Sequence, residues 1–206
     1  MQKALIFDID GTLWDAAEQI RTIWNRVIHF LGIERTLTMQ DIRGIMGTRI
    51  EEIGPIFFPD LPAAESLKIM QKCAAAQIGY LRENGGRVYD GVPETLRQLS
   101  ASCELFLVSN CPVGYAEAFM ACSGTAPYFK DYEISGRTGK TKGDNIKILM
   151  ARNHLSDCIY IGDTKGDQQA AAYAGIPFIH AAYGFGTVED AAAVIHSIRE
   201  LPSILR

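Results

Sequence analysis

No apolar segment of this chain approaches the roughly 20 residues that a bilayer-spanning helix requires, so a membrane-embedded protein is not expected. The N-terminus enters a strand-like stretch directly, without a basic region followed by a signal-type apolar segment, and the chain is placed in the cytoplasm on that basis. Long runs of one charge are missing too. With 20 Lys+Arg against 24 Asp+Glu and a formal net charge of −4, nothing attracts the chain to nucleic acid or to an anionic membrane surface. The five cysteines (Cys73, Cys103, Cys111, Cys122 and Cys158) are odd in number, widely spaced and never arranged as C-x-x-C. A disulfide framework and a structural zinc site are therefore not expected, and the thiols are read as reduced, mainly core residues. There is no internal repeat, no low-complexity tract and no G-x-G-x-x-G after the first strand, which disfavours dinucleotide binding.

What is present is enough apolar material, 48% of 206 residues, for a buried core and an insertion. Residues 3–9, 104–110, 157–163 and 176–184 read as short strands, continuous in hydrophobicity and ended by polar or small residues, with a weaker candidate at 131–136. Helical patterns separate them at 92–102, 113–123, 143–153 and 167–175. Runs apolar on both faces suit a parallel sheet covered by helices, so the fold class is α/β, a doubly wound parallel sheet.

Residues 15–85 interrupt the alternation. Ile20, Ile23, Trp24, Val27, Ile28 and Leu31 recur at helical spacing, as do Leu67, Met70, Cys73, Ala74, Ile78 and Leu81, with shorter helices expected at 39–46 and 48–57. The glycine-rich stretch 84–94 reads as the hinge returning the chain to the sheet. The expected organisation is an α/β core of residues 1–14 and 86–206 with a small all-helical insertion of residues 15–85.

The stretch "FDIDGT" drives Asp8 and Asp10 against the end of the first buried strand, and "IGDTKGD" repeats the design with Asp163 and Asp167 at the end of another. Carboxylates so placed repel one another and lose hydration unless a cation or a proton is shared among them. Ligands of open α/β sheets gather beyond the carboxyl ends of the strands, where strand order reverses. A hard divalent ion held by carboxylates, carbonyls and water resolves the conflict. Ser109 and Asn110 end a third strand with a hydroxyl and an amide suited to a phosphoryl oxygen, or form an ordinary polar strand-to-loop pair.

"FDIDGT", then "LVSN", then "IGDTKGD", in that order across essentially the whole chain, resembles the haloacid dehalogenase superfamily of phosphotransferases. A helical insertion between the first two strands is similar to the cap of its phosphoglycolate phosphatase and β-phosphoglucomutase branch. The resemblance implies a Rossmann-like core with an inserted helical cap and a Mg²⁺-dependent phosphatase acting on a small-molecule phosphate ester. It further implies Asp8 as nucleophile forming an aspartyl-phosphate and Asp10 as general acid and base. Mg²⁺ would be held by Asp8, the Asp10 carbonyl and Asp163, with Asp167 in support. The chemistry agrees, since phosphoryl transfer needs positioning and neutralised charge.

The resemblance also calls for a lysine bridging nucleophile and phosphoryl group. Lys142, immediately before a helix starting at Gly143 or Asp144, is favoured over Lys140, although the prolines that accompany this lysine in relatives are absent. "TGKT" in the same stretch is not a P-loop, because the first glycine of that motif falls on Ile134. Asp10 points away from dehalogenases, which lack an acid there, and Arg49 and Ile50 after Met46–Gly47 point away from phosphonoacetaldehyde hydrolases, which carry a Schiff-base lysine. Arg43, Thr48 and Arg49 flank Gly47, where an arginine could clamp a substrate carboxylate or second phosphate, or simply cap a helix end in solvent. Trp14 either faces the leaving group or fills the domain junction. A sugar phosphomutase, or a catalytically silent binding module, is the rival reading, and the chain is expected to be a monomer or homodimer.

Overall fold

The computed structural model describes residues 3–205. In chain order the elements are β1 (Ala4–Phe7), β2 (Trp14–Asp15), α1 (Ala17–Phe30), α2 (Met39–Gly44), α3 (Ile50–Phe57), α4 (Ala63–Asn84), β3 (Arg87–Val88), α5 (Val92–Leu99), β4 (Glu104–Ser109) and α6 (Tyr115–Ser123). They continue with β5 (Phe129–Ile134), α7 (Ser135–Thr138), α8 (Lys142–Arg152), β6 (Cys158–Gly162), α9 (Lys165–Ala174), β7 (Phe178–Ala181), β8 (Ala193–Ile195) and α10 (Leu201–Ile204).

Every residue of β1 is buried, which requires cover on both faces, and β1 accordingly lies inside a six-stranded sheet of order β5-β4-β1-β6-β7-β8. All its pairings are parallel, with Phe7 opposite Leu107 on one side and Ile161 on the other. The chain fills the sheet on one side of β1 and then on the other. Strand order thus reverses at β1, and a crevice opens at its carboxyl end, where Asp8 stands.

Residues 15–85 form α1 to α4, and the chain leaves and returns side by side: β2 and β3 make a two-residue antiparallel ribbon, reinforced by an Asp15–Arg87 ion pair at 3.0 Å. Helix α1 packs on α4 through Trp24, whose indole N–H donates to Gln77 Oε1 at 2.8 Å and whose ring meets Phe57 edge-on. The loop after α1 is held by Asn25, which bonds both the N–H and the carbonyl of Leu37, at 2.7 and 2.9 Å. Thr38 and Asp41 then start α2 with a capping box. One apolar core runs from the sheet through Trp14, Tyr115 and Phe119 into the helical segment.

Each of the four principal strand expectations coincides with an observed strand, and the weaker candidate is β5. The ribbon, α7, β8 and α10 were not expected. They are two to four residues long, too short for periodicity to register. Among the described residues, no helix is long and apolar enough to cross a membrane.

Candidate active site

The ladder of β1 extends one residue beyond the strand, with the Asp8 N–H donating to the Ile161 carbonyl at 2.9 Å. That bond fixes Asp8 at the mouth of the crevice, where it is almost fully buried. The chain then turns tightly, the Leu13 N–H bonding the Ile9 carbonyl at 2.8 Å and Gly11 adopting φ +78°. A side chain on Gly11 would overlap the Asp163 carboxylate, so glycine is required both for the left-handed backbone and for the close approach of β1 and β6 ends.

Asp163 follows β6, completely buried; the Phe185 N–H donates to its Oδ2 at 2.7 Å and the Thr12 hydroxyl lies 3.4 Å from Oδ1. Asp167 sits in the first turn of α9, where it forms a capping box with Thr164. Its Oδ2 accepts from the Thr164 N–H and hydroxyl (2.9 and 2.7 Å) and, at 3.2 Å, from the Asp163 N–H. Its Oδ1 accepts from Lys142 Nζ at 2.5 Å. Ligand oxygens of Asp8, Asp163 and Asp167 lie within 4.8 Å of one another.

Lys142 is the cation in this cluster. It is the first residue of α8, capped by Thr141, one residue earlier than the expected helix start, and its buried ammonium stands 3.0 Å from Asp8 Oδ1 as well as on Asp167. Lys140 is exposed on the preceding loop. Burial opposes the charge of Lys142, but Asp167 and Asp8 outweigh it and hold the lysine protonated well above its ordinary range.

The carboxylates divide. Burial pushes Asp8 up to about 6, against the pull of Lys142, and Asp163 up to about 8, with Asp167 and Asp8 adding repulsion. Burial also acts on Asp167, yet Lys142 and Thr164 hold it below the usual carboxylate range. Asp10, half-buried and accepting a short hydrogen bond from the Tyr115 hydroxyl, is pushed by burial up to about 7.

Beside this cluster, Ser109 ends β4 buried, and Asn110 is oriented by a chain of hydrogen bonds. Thr138 donates to Asn145 (2.7 Å), Asn145 to the Ser135 hydroxyl (3.3 Å) and Ser135 to Asn110 Oδ1 (2.6 Å). Asn110 in turn donates one N–H to the Gly47 carbonyl at 2.7 Å, tying the strand end to the loop between α2 and α3.

The family model for haloacid dehalogenase-like hydrolases matches residues 5–181, which include every acidic residue just described. The chain belongs to that family. This haloacid dehalogenase-like hydrolase is 30% identical to a phosphoglycolate phosphatase from Rhodobacter capsulatus over 100% of this chain and 97% of the relative. It is 28% identical to the phosphoglycolate phosphatase of Escherichia coli strain K12, over 89% of this chain and 82% of that one. Among solved structures, a predicted phosphatase from Clostridium acetobutylicum superposes with a TM-score of 0.83 at 25% identity, covering 100% of this chain and 99% of that chain. A predicted phosphoglycolate phosphatase from Haemophilus somnus shares the fold, with a TM-score of 0.86 at 17% identity, over 100% and 98% of the two chains.

Of the residues expected around Gly47, the structure brings only Thr48 to the cavity that Asp8 and Asp10 line. Arg43 is exposed at the last turn of α2, because the face of α2 that packs inward is the one bearing Ile42. Arg49 lies beside a neighbouring crevice, its guanidinium bound to Glu52 at 2.5 Å and 3.5 Å from the Gly139 carbonyl. Trp14 does not line this cavity. It is fully buried at the junction, edge-on to Tyr115 and Phe119. Conversely, the sequence reading missed Tyr115, Ser135, Asn145 and Gln77, which ordinary helical and loop stretches carry and no short motif marks.

The hydrolase's acidic cluster fits a hard divalent cation. Its donors are all oxygen, and Asp8 Oδ1 is buried without a directed hydrogen bond, the Lys142 ammonium being near it but poorly aligned. Two of the three clustered carboxyls are held above their ordinary range by burial and mutual repulsion, a cost that a shared cation removes.

Proposed function

We propose that this hydrolase is a magnesium-dependent phosphatase of small phosphate monoesters, with residues 15–85 acting as a cap over a core of residues 1–14 and 86–206. The observation that supports it best is the buried cluster in which one ammonium, Lys142, faces Asp8 and Asp167 while Asp163 stands within ligand distance of both. With all four groups ionised such a cluster carries two negative charges in excess, which one divalent cation balances. Relatives that share the whole length are phosphoglycolate phosphatases, which supports the same reaction class.

In this reading Asp8 attacks the phosphorus in line with the ester oxygen and forms an aspartyl-phosphate. Asp10 gives its proton to the departing oxygen; a carboxyl pushed by burial up to about 7 exchanges that proton readily near neutral pH, and once ionised it accepts a proton from the attacking water. Tyr115 holds Asp10 in place through its hydroxyl. Lys142, the Ser109 hydroxyl and the second N–H of Asn110 hold the phosphoryl oxygens. Mg²⁺ would be held by Asp8, the Asp10 carbonyl and Asp163, where it would neutralise phosphoryl charge. Asp167, with both oxygens already committed to Lys142 and Thr164, positions the lysine rather than the ion.

The test is phosphate release from a panel of small phosphate esters with Mg²⁺, wild type beside Asp8→Asn and Asp10→Asn. Metal-dependent release that EDTA and both substitutions abolish is the expected result. Release that survives Asp8→Asn would remove the aspartyl-phosphate, and an isomerised sugar phosphate in place of free phosphate would make the protein a mutase.

A further inference from the structure

Beyond Asp8 and Asp10 the site closes into a cavity of about 50 Å³ whose far wall comes from α1, α3 and α4. That wall is apolar: Ile20, Trp24 and Ile53 are buried in it. Among the described residues lining this cavity, the charged ones are Asp8 and Asp10, and none is a lysine, arginine or histidine. A carboxylate on the leaving group would be desolvated there beside two acids and without a counter-ion. The two flanking crevices offer no remedy. One, of about 280 Å³, brings Glu51; the other holds Arg49, already paired with Glu52, and Lys142, already held by Asp8 and Asp167.

One polar group faces the cavity from this apolar wall with a defined role. The Trp24 indole can only donate, so the Gln77 atom it bonds is the carbonyl oxygen, and the amide nitrogen is left with its two N–H donors. Gln77 is 4% exposed, and no protein acceptor pairs with that nitrogen. That nitrogen is not sealed in the protein but reaches the cavity, where a ligand oxygen can accept from it.

We infer that the leaving group is a short, uncharged alcohol carrying an oxygen acceptor for Gln77, and that Gln77 and the apolar wall select against anionic leaving groups such as glycolate. This rests on the phosphatase reading above.

The test compares three phosphate esters of equal length under Mg²⁺: 2-hydroxyethyl phosphate, 2-phosphoglycolate and phosphoethanolamine, with acetyl phosphate as a reference for phosphatase chemistry itself. The expected kcat/KM for 2-hydroxyethyl phosphate exceeds that for either charged ester by about tenfold or more. In Gln77→Glu, which keeps an acceptor for Trp24 but removes both free donors, the neutral ester should lose about tenfold and phosphoethanolamine should overtake it. Wild type that turns over acetyl phosphate yet prefers 2-phosphoglycolate overturns this inference alone. An unchanged order of preference in Gln77→Glu overturns the role of that residue. No turnover of any of the four compounds overturns the phosphatase reading, and this inference with it.

Discussion

Replacing Lys142 by methionine keeps the length of the side chain and removes its charge. In the wild type the ammonium is 2.5 Å from Asp167 and 3.0 Å from Asp8, with all three groups buried. Removing one partner of a buried ionic cluster costs about 3–5 kcal/mol, because the remaining charges are left desolvated and uncompensated. For a chain of 206 residues, each kcal/mol corresponds to about 2–4 °C, so the melting temperature in EDTA should fall by about 6–20 °C. Part of the loss should be recovered at low pH, where Asp8, already held near 6, takes up a proton. The variant should also gain more from Mg²⁺ than the wild type does, since the metal would then be the sole cation among the acids. Calorimetric scans of both proteins, with EDTA and with saturating Mg²⁺, measure all of this. A variant melting within a degree of the wild type in EDTA would show that Lys142 does not offset the carboxylate repulsion, and the electrostatic account of the site would fail.

Gly11→Ala should cost about 1–2 kcal/mol for the left-handed backbone alone, and because its methyl group displaces the Asp163 carboxylate, phosphate release should fall by about a hundredfold; near-normal turnover would separate Asp163 from the reaction. Far from the site, Asn153 and Arg152 hold Asp131 below its ordinary range despite partial burial. A depressed carboxyl stabilises the fold above the unfolded-state value of 3.8 and ceases to do so as pH falls through its lower folded value. Stability of Asp131→Asn should therefore fall less than that of wild type between pH 5 and pH 3 in urea titrations, and parallel curves would refute the assignment.

The sheet was legible because β1, β4 and β6 are buried on both faces, so their hydrophobicity is continuous and their ends are marked by polar residues. The acidic pair motifs were legible for the opposite reason: Asp8 and Asp163 stand where water is excluded, a placement that nothing structural rewards. What escaped the sequence were groups whose importance is positional. Tyr115 looks like one more aromatic at a helix start until the fold lays it on Asp10, 105 positions away in the chain. Ser135 and Asn145 are common loop and helix residues, and only the packing of α8 beneath β5 turns them into a relay toward Asn110. The arginines stayed open between a substrate clamp and a solvated helix end for a related reason. A helix-end arginine next to a glycine turn reads the same whether it points into a cleft or pairs with a carboxylate three residues on, as Arg49 does with Glu52.

The hydrogen-bond relay also bears on how the helical segment and the sheet act together. Asn110 is fixed by Ser135 on one side and bonds the Gly47 carbonyl with one N–H, which leaves a single N–H for a phosphoryl oxygen. In the proposed reaction the same amide would touch both the loop between α2 and α3 and the reacting group. Gly47 also lies against Thr164, the residue that caps α9 and holds Asp167. Displacing this loop would free the Asn110 amide to turn and would uncover the Thr164–Asp167 capping box. The loop between α2 and α3 and the acidic cluster are thus linked by two contacts at one glycine turn.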